Sequence, residues 1–156
     1  MNFPYLKFNK CSKQINIKVN NTMKHVHWIG TGLSSLPGIR RLARNLENLT
    51  IWNRTLEKAE KSINHVDKNN VKARKFDIDQ IFKEVNPGDV VISQLPVTRH
   101  PEIAKLCLEH NCHFASTSYL NPQILALDKD VTKQHLVFIN EIGLDPGIDH
   151  FFSHLL

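Results

Sequence analysis

Long apolar runs are missing from this sequence of 156 residues: nothing approaches the ~18–20 consecutive apolar residues of a membrane-spanning helix. The first 22 residues also lack the continuous apolar core of ~7–15 residues that a secretory signal carries. Cysteine is scarce. Cys11, Cys107 and Cys112 form neither a CxxC pair nor a framework, so no disulfide is expected and the thiols read as reduced and intracellular. The expected location is the cytoplasm. There is no internal repeat and no low-complexity block. An excess of folded positive charge is missing too, despite a net charge of +5. Five lysines and no acid fall in residues 1–24, and the remainder carries 15 basic and 15 acidic residues. A nucleic-acid binder concentrates its charge on a folded face, so that class is set aside.

With 41% hydrophobic and 22% charged residues, the sequence has the composition and length of one globular domain. Short apolar strands alternate with helical periods at brief intervals. Strands are expected at Val26–Ile29, Leu49–Trp52, Val71–Phe76, Asp89–Ile92, His113–Ala115 and Leu136–Ile139. The β-branched run at Asp89–Ile92 suits a central strand covered on both faces, the polar Val71–Phe76 suits an edge, and Leu136–Ile139 reads as buried. Helices are expected at Leu36–Leu46, Leu56 to about Val66, Ile78–Val85, Pro101–His110, Pro122–Leu127 and Ile148–Leu155. Thr55 is the expected N-cap of the second, and Asp145 with Pro146 reads as the cap and first turn of the last. Repeated strand–helix units with short connections predict an α/β fold, a doubly wound parallel sheet.

The sharpest local signal joins the first strand to the first helix. Gly30-Thr31-Gly32-Leu33-Ser34 is a glycine turn of the kind that cradles a dinucleotide pyrophosphate, with Ser35 small enough for close helix–strand packing. No lysine follows as a P-loop would require. The second strand ends in Asn53-Arg54-Thr55, where an NAD-binding domain usually carries a carboxylate for the ribose hydroxyls. Arg54 can instead chelate a 2′-phosphate, which favours NADP(H) over NAD(H). Asp77 closes the third strand, either near the adenine or as an N-cap. Ser93, Leu95 and Pro96 follow the fourth strand and would run along the cofactor toward the nicotinamide. Asn140 to His150 packs three ionisable groups and two glycines behind a strand, more than a plain connection needs. The pair His150 and His154 lacks the Glu of a zinc helix, and Cys107, His110, Cys112 and His113 meet no zinc spacing, so no metal is expected.

Gly30 to Pro37 is similar to the G-x-G-x-x-x-x-P turn of saccharopine dehydrogenases of the NADP-linked, glutamate-forming type. Asn53-Arg54-Thr55, Ser93-Gln94-Leu95-Pro96 and Ser118-Tyr119-Leu120-Asn121-Pro122 resemble that family's second-strand ending, S-x-x-P loop and S-Y-x-x-P segment. Asn140 to His150 resembles its N-E-x-G-L-D-P-G-I-D-H block. The resemblance implies a Rossmann domain over residues 23–147 that binds NADP, after an extension at 1–22 that is expected to be disordered. Residues 148–156 would open the family's second, substrate-binding domain, otherwise absent from this chain. It implies hydride transfer at the C–N bond of saccharopine or a related secondary amine through an imine, in lysine metabolism. The small-molecule amino-acid substrate would be contacted by Ser118, Tyr119 and Asp145, with the catalytic proton carrier unknown. Alone, the chain is expected to bind NADP(H) and turn over little, needing a separate chain with the missing domain, or a homodimer. A non-catalytic nucleotide-binding or partner-docking module is the alternative.

Overall fold

A computed structural model describes residues 24–46, 48–66, 69 and 71–153 of the chain. The expected extension at 1–22 and residue His154 lie outside the described residues. Six strands form one sheet: β1 (Val26–Ile29), β2 (Leu49–Asn53), β3 (Val71–Lys75), β4 (Val90–Ser93), β5 (His113–Ser116) and β6 (Phe138–Ile139). Their order is β3-β2-β1-β4-β5-β6 and every pairing is parallel. The chain thus winds outward from β1 to one edge, returns past its start, and winds to the other. Helices α1 (Leu36–Asn45), α2 (Leu56–Ile63), α3 (Ile78–Glu84) and α4 (His100–Glu109) make the first four crossovers, α5 (Pro122–Leu125) and α6 (Asp128–Lys133) the fifth, and α7 (Ile148–Ser153) follows β6. No described helix is long and apolar enough to cross a membrane.

Strand alternation builds the two layers. Trp28, Leu49 and Ile51 point to one face and pack on Ile39 and Ala43 of α1 and Ala59 of α2. Ile29, Trp52, Val91 and Phe114 point to the other and pack on Ile81, Phe82, Ile103, Ala104 and Cys107 of α3 and α4. Covering both faces is what lets β1, β2 and β4 be apolar on both sides.

One expectation needs correction, and two features were not foreseen. Leu136–Ile139 is not a buried strand. Only Phe138 and Ile139 pair, at the sheet edge, and Ile139 and Val137 are 44% and 52% exposed because nothing described covers that side. The helix at Asp128–Lys133 was not expected, its sequence DKDVTK offering one apolar residue, Val131, to a core face. Close packing of helix on strand falls on Gly38 as well as Ser35. A Cβ on Gly38 would sit 3.0 Å from the Trp28 ring, and Ser35 is itself buried.

Candidate functional site

Because all six strands are parallel, the loops leaving them at their C-terminal ends share one rim of the sheet, where open α/β sheets take their ligands. Gly30 leaves β1 at φ +102°, and its amide donates to the Trp52 carbonyl at 2.8 Å. A Cβ there would lie 2.8 Å from the Gln94 carbonyl oxygen, so the approach of the β4 loop requires glycine as firmly as the dihedral does. Gly32 differs. Its backbone is extended (φ −64°, ψ 164°) and a Cβ would meet nothing closer than Ser35 Oγ at 3.9 Å. The protein itself leaves that space open.

A cleft of about 520 Å³ lies over this turn. Gly30, Thr31 and Gly32 form one wall, and Gln94, Leu95 and Pro96 another. Trp52, Asn53, Arg54 and Thr55 supply the end of β2, and Lys58, Phe76 and Arg99 complete the lining. The described lining carries three cations and no carboxylate, with Arg99 paired at 2.9 Å to Glu102 outside it. Asn53 Nδ2 donates to the Thr55 carbonyl at 3.0 Å and fixes the turn that presents Arg54. Thr31 Oγ1 is buried without a hydrogen-bond partner among the described residues. A buried hydroxyl left unpaired is costly, and a phosphate oxygen at the glycine turn would satisfy it. With the open space at Gly32, these groups fit a phosphorylated dinucleotide.

The other residues singled out in the sequence fall differently. The side chains of Leu33 and Ser34 are exposed and stand outside the cleft lining, leaving their backbone as their contribution to the turn. Thr55 occupies the N-cap position of α2, but its side chain makes no capping bond. Asp77 is the N-cap of α3, accepting from the Gln80 amide at 3.1 Å, and the cleft is lined at that strand end by Phe76 instead. Ser93 is fully buried and also stands outside the lining. Asp145 does not cap the last helix. Its Oδ1 accepts from the Tyr119 hydroxyl at 2.8 Å, and the helix starts at Ile148, where Asp149 turns back to the Gly147 amide at 2.7 Å. The first-turn amides of Ile148 and Asp149 are taken instead by the Gly143 and Leu144 carbonyls, at 3.1 and 2.9 Å.

Tyr119 and Asp145, 26 residues apart, are thus brought together, and a mesh of hydrogen bonds holds their loops. Ser116 Oγ donates to Asn140 Oδ1 at 3.0 Å, the Leu120 amide to Glu141 Oε1 at 2.9 Å, and the Glu141 amide to the Ser118 carbonyl at 3.1 Å. Thr117 Oγ1 donates to Gln94 Oε1 at 3.1 Å, tying this group to the cleft wall. Gly147 takes φ +145°, and a Cβ on it would run into the Gly143 carbonyl oxygen, which accounts for the second glycine of the block. Hydrogen bonding to Asp145 raises the Tyr119 phenol above its ordinary value.

His100 escaped the sequence reading. It opens α4, is 2% exposed, and its Nδ1 and Nε2 lie 3.0 Å from Ser93 Oγ and 2.9 Å from Ser118 Oγ. Burial pushes its pKa below the ordinary histidine value, so the ring is neutral. A lone histidine at a helix start carries no local signal for such a bridge. Lys58 and Arg99 were also missed, although Lys58 lies four residues beyond Arg54, one helical turn along.

The sequence matches the family model described as the saccharopine dehydrogenase NADP binding domain over residues 26–139. It is 36% identical over 135 residues to the NADP-dependent, L-glutamate-forming saccharopine dehydrogenase of Schizosaccharomyces pombe, covering 84% of this chain and 30% of that protein. The mitochondrial alpha-aminoadipic semialdehyde synthase of Rattus norvegicus is 31% identical over 151 residues, covering 94% of this chain and 16% of that one. Among solved structures, the apo L-Glu-forming saccharopine dehydrogenase of Saccharomyces cerevisiae superposes with a TM-score of 0.70 at 31% identity, over 83% of this chain and 29% of that chain. The chain therefore spans about 30% of the length of the saccharopine dehydrogenases that it matches. It belongs to the saccharopine dehydrogenase family, and what it carries is that family's NADP-binding Rossmann domain.

Proposed function

We propose that this chain is the coenzyme-holding part of a saccharopine dehydrogenase-like oxidoreductase acting on an amino-acid-derived secondary amine. The amides of residues 31–34, with Thr31 Oγ1 as an added donor, would hold the diphosphate. Arg54, with Lys58 beside it in the cleft lining, would hold the 2′-phosphate. Leu95 and Pro96 would guide the nicotinamide half toward the loops after β4 and β5. Hydride acceptance from carbon by NADP, or its return by NADPH, is the chemistry that the bound coenzyme would supply. The chain's own residues orient that exchange and keep water from the C–N bond where an imine must survive. Ser118, Tyr119 and Asp145 form the side of the substrate pocket that this chain contributes. A carbon bonded to nitrogen loses hydride and the nitrogen loses a proton, leaving an imine that water opens to amine and aldehyde. The remaining walls of the pocket belong to a further domain.

The observation that carries this proposal is the buried, unpartnered Thr31 hydroxyl beside the open space at Gly32, in a cleft lined by Arg54, Lys58 and Arg99 and by no described carboxylate. Calorimetric titration of the folded chain with NADPH and NADH tests it. Tighter binding of NADPH is expected, and no heat with either coenzyme would end the proposal. The competing possibility is a nucleotide-binding module without catalysis. Adding a separately produced remainder of the enzyme and assaying saccharopine oxidation separates the two.

A further inference from the structure

His100 links the end of β4, next to the loop lining the cleft, to the loop carrying Ser118 and Tyr119, and its hydrogen bonds can be assigned a direction. A neutral imidazole has one N–H and one lone pair, so one serine donates to it and the other accepts from it. Ser93 decides which. Its side chain is fully buried, and among the described residues its Oγ has His100 Nδ1, at 3.0 Å, as its hydrogen-bond partner and no other. A buried hydroxyl that cannot place its proton is costly, so Ser93 donates to Nδ1. The imidazole proton then sits on Nε2 and is donated to Ser118 Oγ, 2.9 Å away. That oxygen is satisfied as an acceptor, and its own proton is claimed by no described residue. Ser118 is only part-buried, so that proton can turn outward.

We propose that His100 is a positioning residue which, by carrying its proton on Nε2, presents the Ser118 hydroxyl as a hydrogen-bond donor to an acceptor oxygen of the bound ligands. That oxygen is either a carboxylate of the amino-acid substrate or the carboxamide of the nicotinamide. The proposal rests on Ser118 facing the ligands, as argued above, but the tautomer stands on the geometry of the free protein alone. Reversed, with the proton on Nδ1, the imidazole would consume the Ser118 proton and leave only lone pairs facing outward, suited to an ammonium.

Nitrogen-15 NMR of the folded 156-residue chain, labelled at histidine, reads the tautomer directly. An Nε2–H signal for His100 with an unprotonated Nδ1 is expected, and an Nδ1–H signal would overturn the proposal before any ligand is added. NADP+ and then L-glutamate are next titrated in. A shift at Nε2–H on adding NADP+ identifies the carboxamide, and one that waits for glutamate identifies the carboxylate. No shift with either, while calorimetry registers coenzyme binding, overturns the donor role. Absence of coenzyme binding instead counts against the proposed function and leaves the tautomer result standing. His100→Gln places an amide N–H near the Nε2 position and is expected to keep the affinity of the responding ligand. His100→Asn reaches only as far as Nδ1 and is expected to weaken it about tenfold, as Ser118→Ala does. Equal affinities for folded Gln and Asn variants would show that His100 merely fills space.

Discussion

Gly30 and Gln94 touch so closely that no side chain fits between them: a Cβ on Gly30 would stand 2.8 Å from the Gln94 carbonyl oxygen, on a residue already at φ +102°. Two residues on, Gly32 has neither constraint. The two glycines of one motif should therefore fail in different ways. Gly30→Ala is expected to lose about 1–3 kcal/mol of stability, as strained positive-φ positions do. Gly32→Ala should melt close to the wild type yet bind NADPH at least tenfold more weakly, because its methyl occupies the phosphate's space. Thermal melts paired with calorimetry check both, and undiminished affinity in Gly32→Ala would remove the phosphate from this turn.

Selection between coenzymes is expected to rest on Arg54. It lines the cleft at the end of β2, exposed and with no described carboxylate in the lining, and Lys58 stands on the first turn of the following helix. A charge-assisted hydrogen bond to phosphate is worth about 1.5–3 kcal/mol, so Arg54→Ala should weaken NADPH roughly ten- to a hundredfold while leaving NADH nearly unchanged. Arg54→Asp should go further and favour NADH. Lys58→Ala should show a smaller loss that disappears at high salt, as expected of a flexible point charge. Unaltered discrimination in Arg54→Asp would mean that the 2′-phosphate is read elsewhere.

Much of this was legible in the chain because it is local. The glycine turn, the β-branched run expected at Asp89–Ile92 and the edge strand expected at Val71–Phe76 each depend on neighbours in sequence, and the last two stand as β4 (Val90–Ser93) inside the sheet and β3 (Val71–Lys75) at its edge. What escaped depends on distant partners. His100 looks like any residue at a helix start until Ser93 and Ser118 arrive on either side of it. Asp145 carries the local signature of a cap, but its carboxylate is held by the phenol of Tyr119 from another loop. Leu136–Ile139 has the composition of a core strand, yet the described structure leaves its outer side uncovered, with Val137 and Ile139 exposed. Helix α6 contradicts its polar sequence because a single residue, Val131, anchors it.

The Tyr119–Asp145 pair lies in solvent, so its worth is better read from titration than from stability. Tyr119 OH donates to Asp145 Oδ1 at 2.8 Å, and the carboxylate holds the phenolic proton above its ordinary pKa. Asp145→Asn removes the charge and should let Tyr119 ionise at lower pH than in the wild type. Tyrosinate absorbance follows this readily, the chain having only one other tyrosine, Tyr5. Thermal stability should scarcely move, as is usual for an exposed site. Coincident titration curves for the two proteins would show that the pair does not persist in solution.

At the opposite end of the sheet, His27 makes stability depend on pH. It is 2% exposed, its Nδ1 accepts from Trp52 Nε1 at 3.2 Å, and its ring lies 4.5 Å from that of His25. Asp89 Oδ2 is 3.7 Å from Nε2, too far for a hydrogen bond, and its carboxylate already accepts from the amides of His25 and Asn86. Burial, reinforced by His25, therefore outweighs the attraction to Asp89 and pushes His27 down to about 4 from 6.5. The unfolded chain binds a proton on this residue below pH 6.5, whereas the folded one resists until about 4. Stability is thus fully present above the unfolded value and falls as pH descends through that window, by roughly 3 kcal/mol at one pKa unit to about 1.4 kcal/mol. His25, lowered by burial as well, adds in the same direction. Urea midpoints between pH 7.5 and 4.5 should decline steeply in the wild type and more gently in His27→Gln, which has no proton to gain. Parallel declines in the two proteins would assign the acid sensitivity to carboxylates elsewhere.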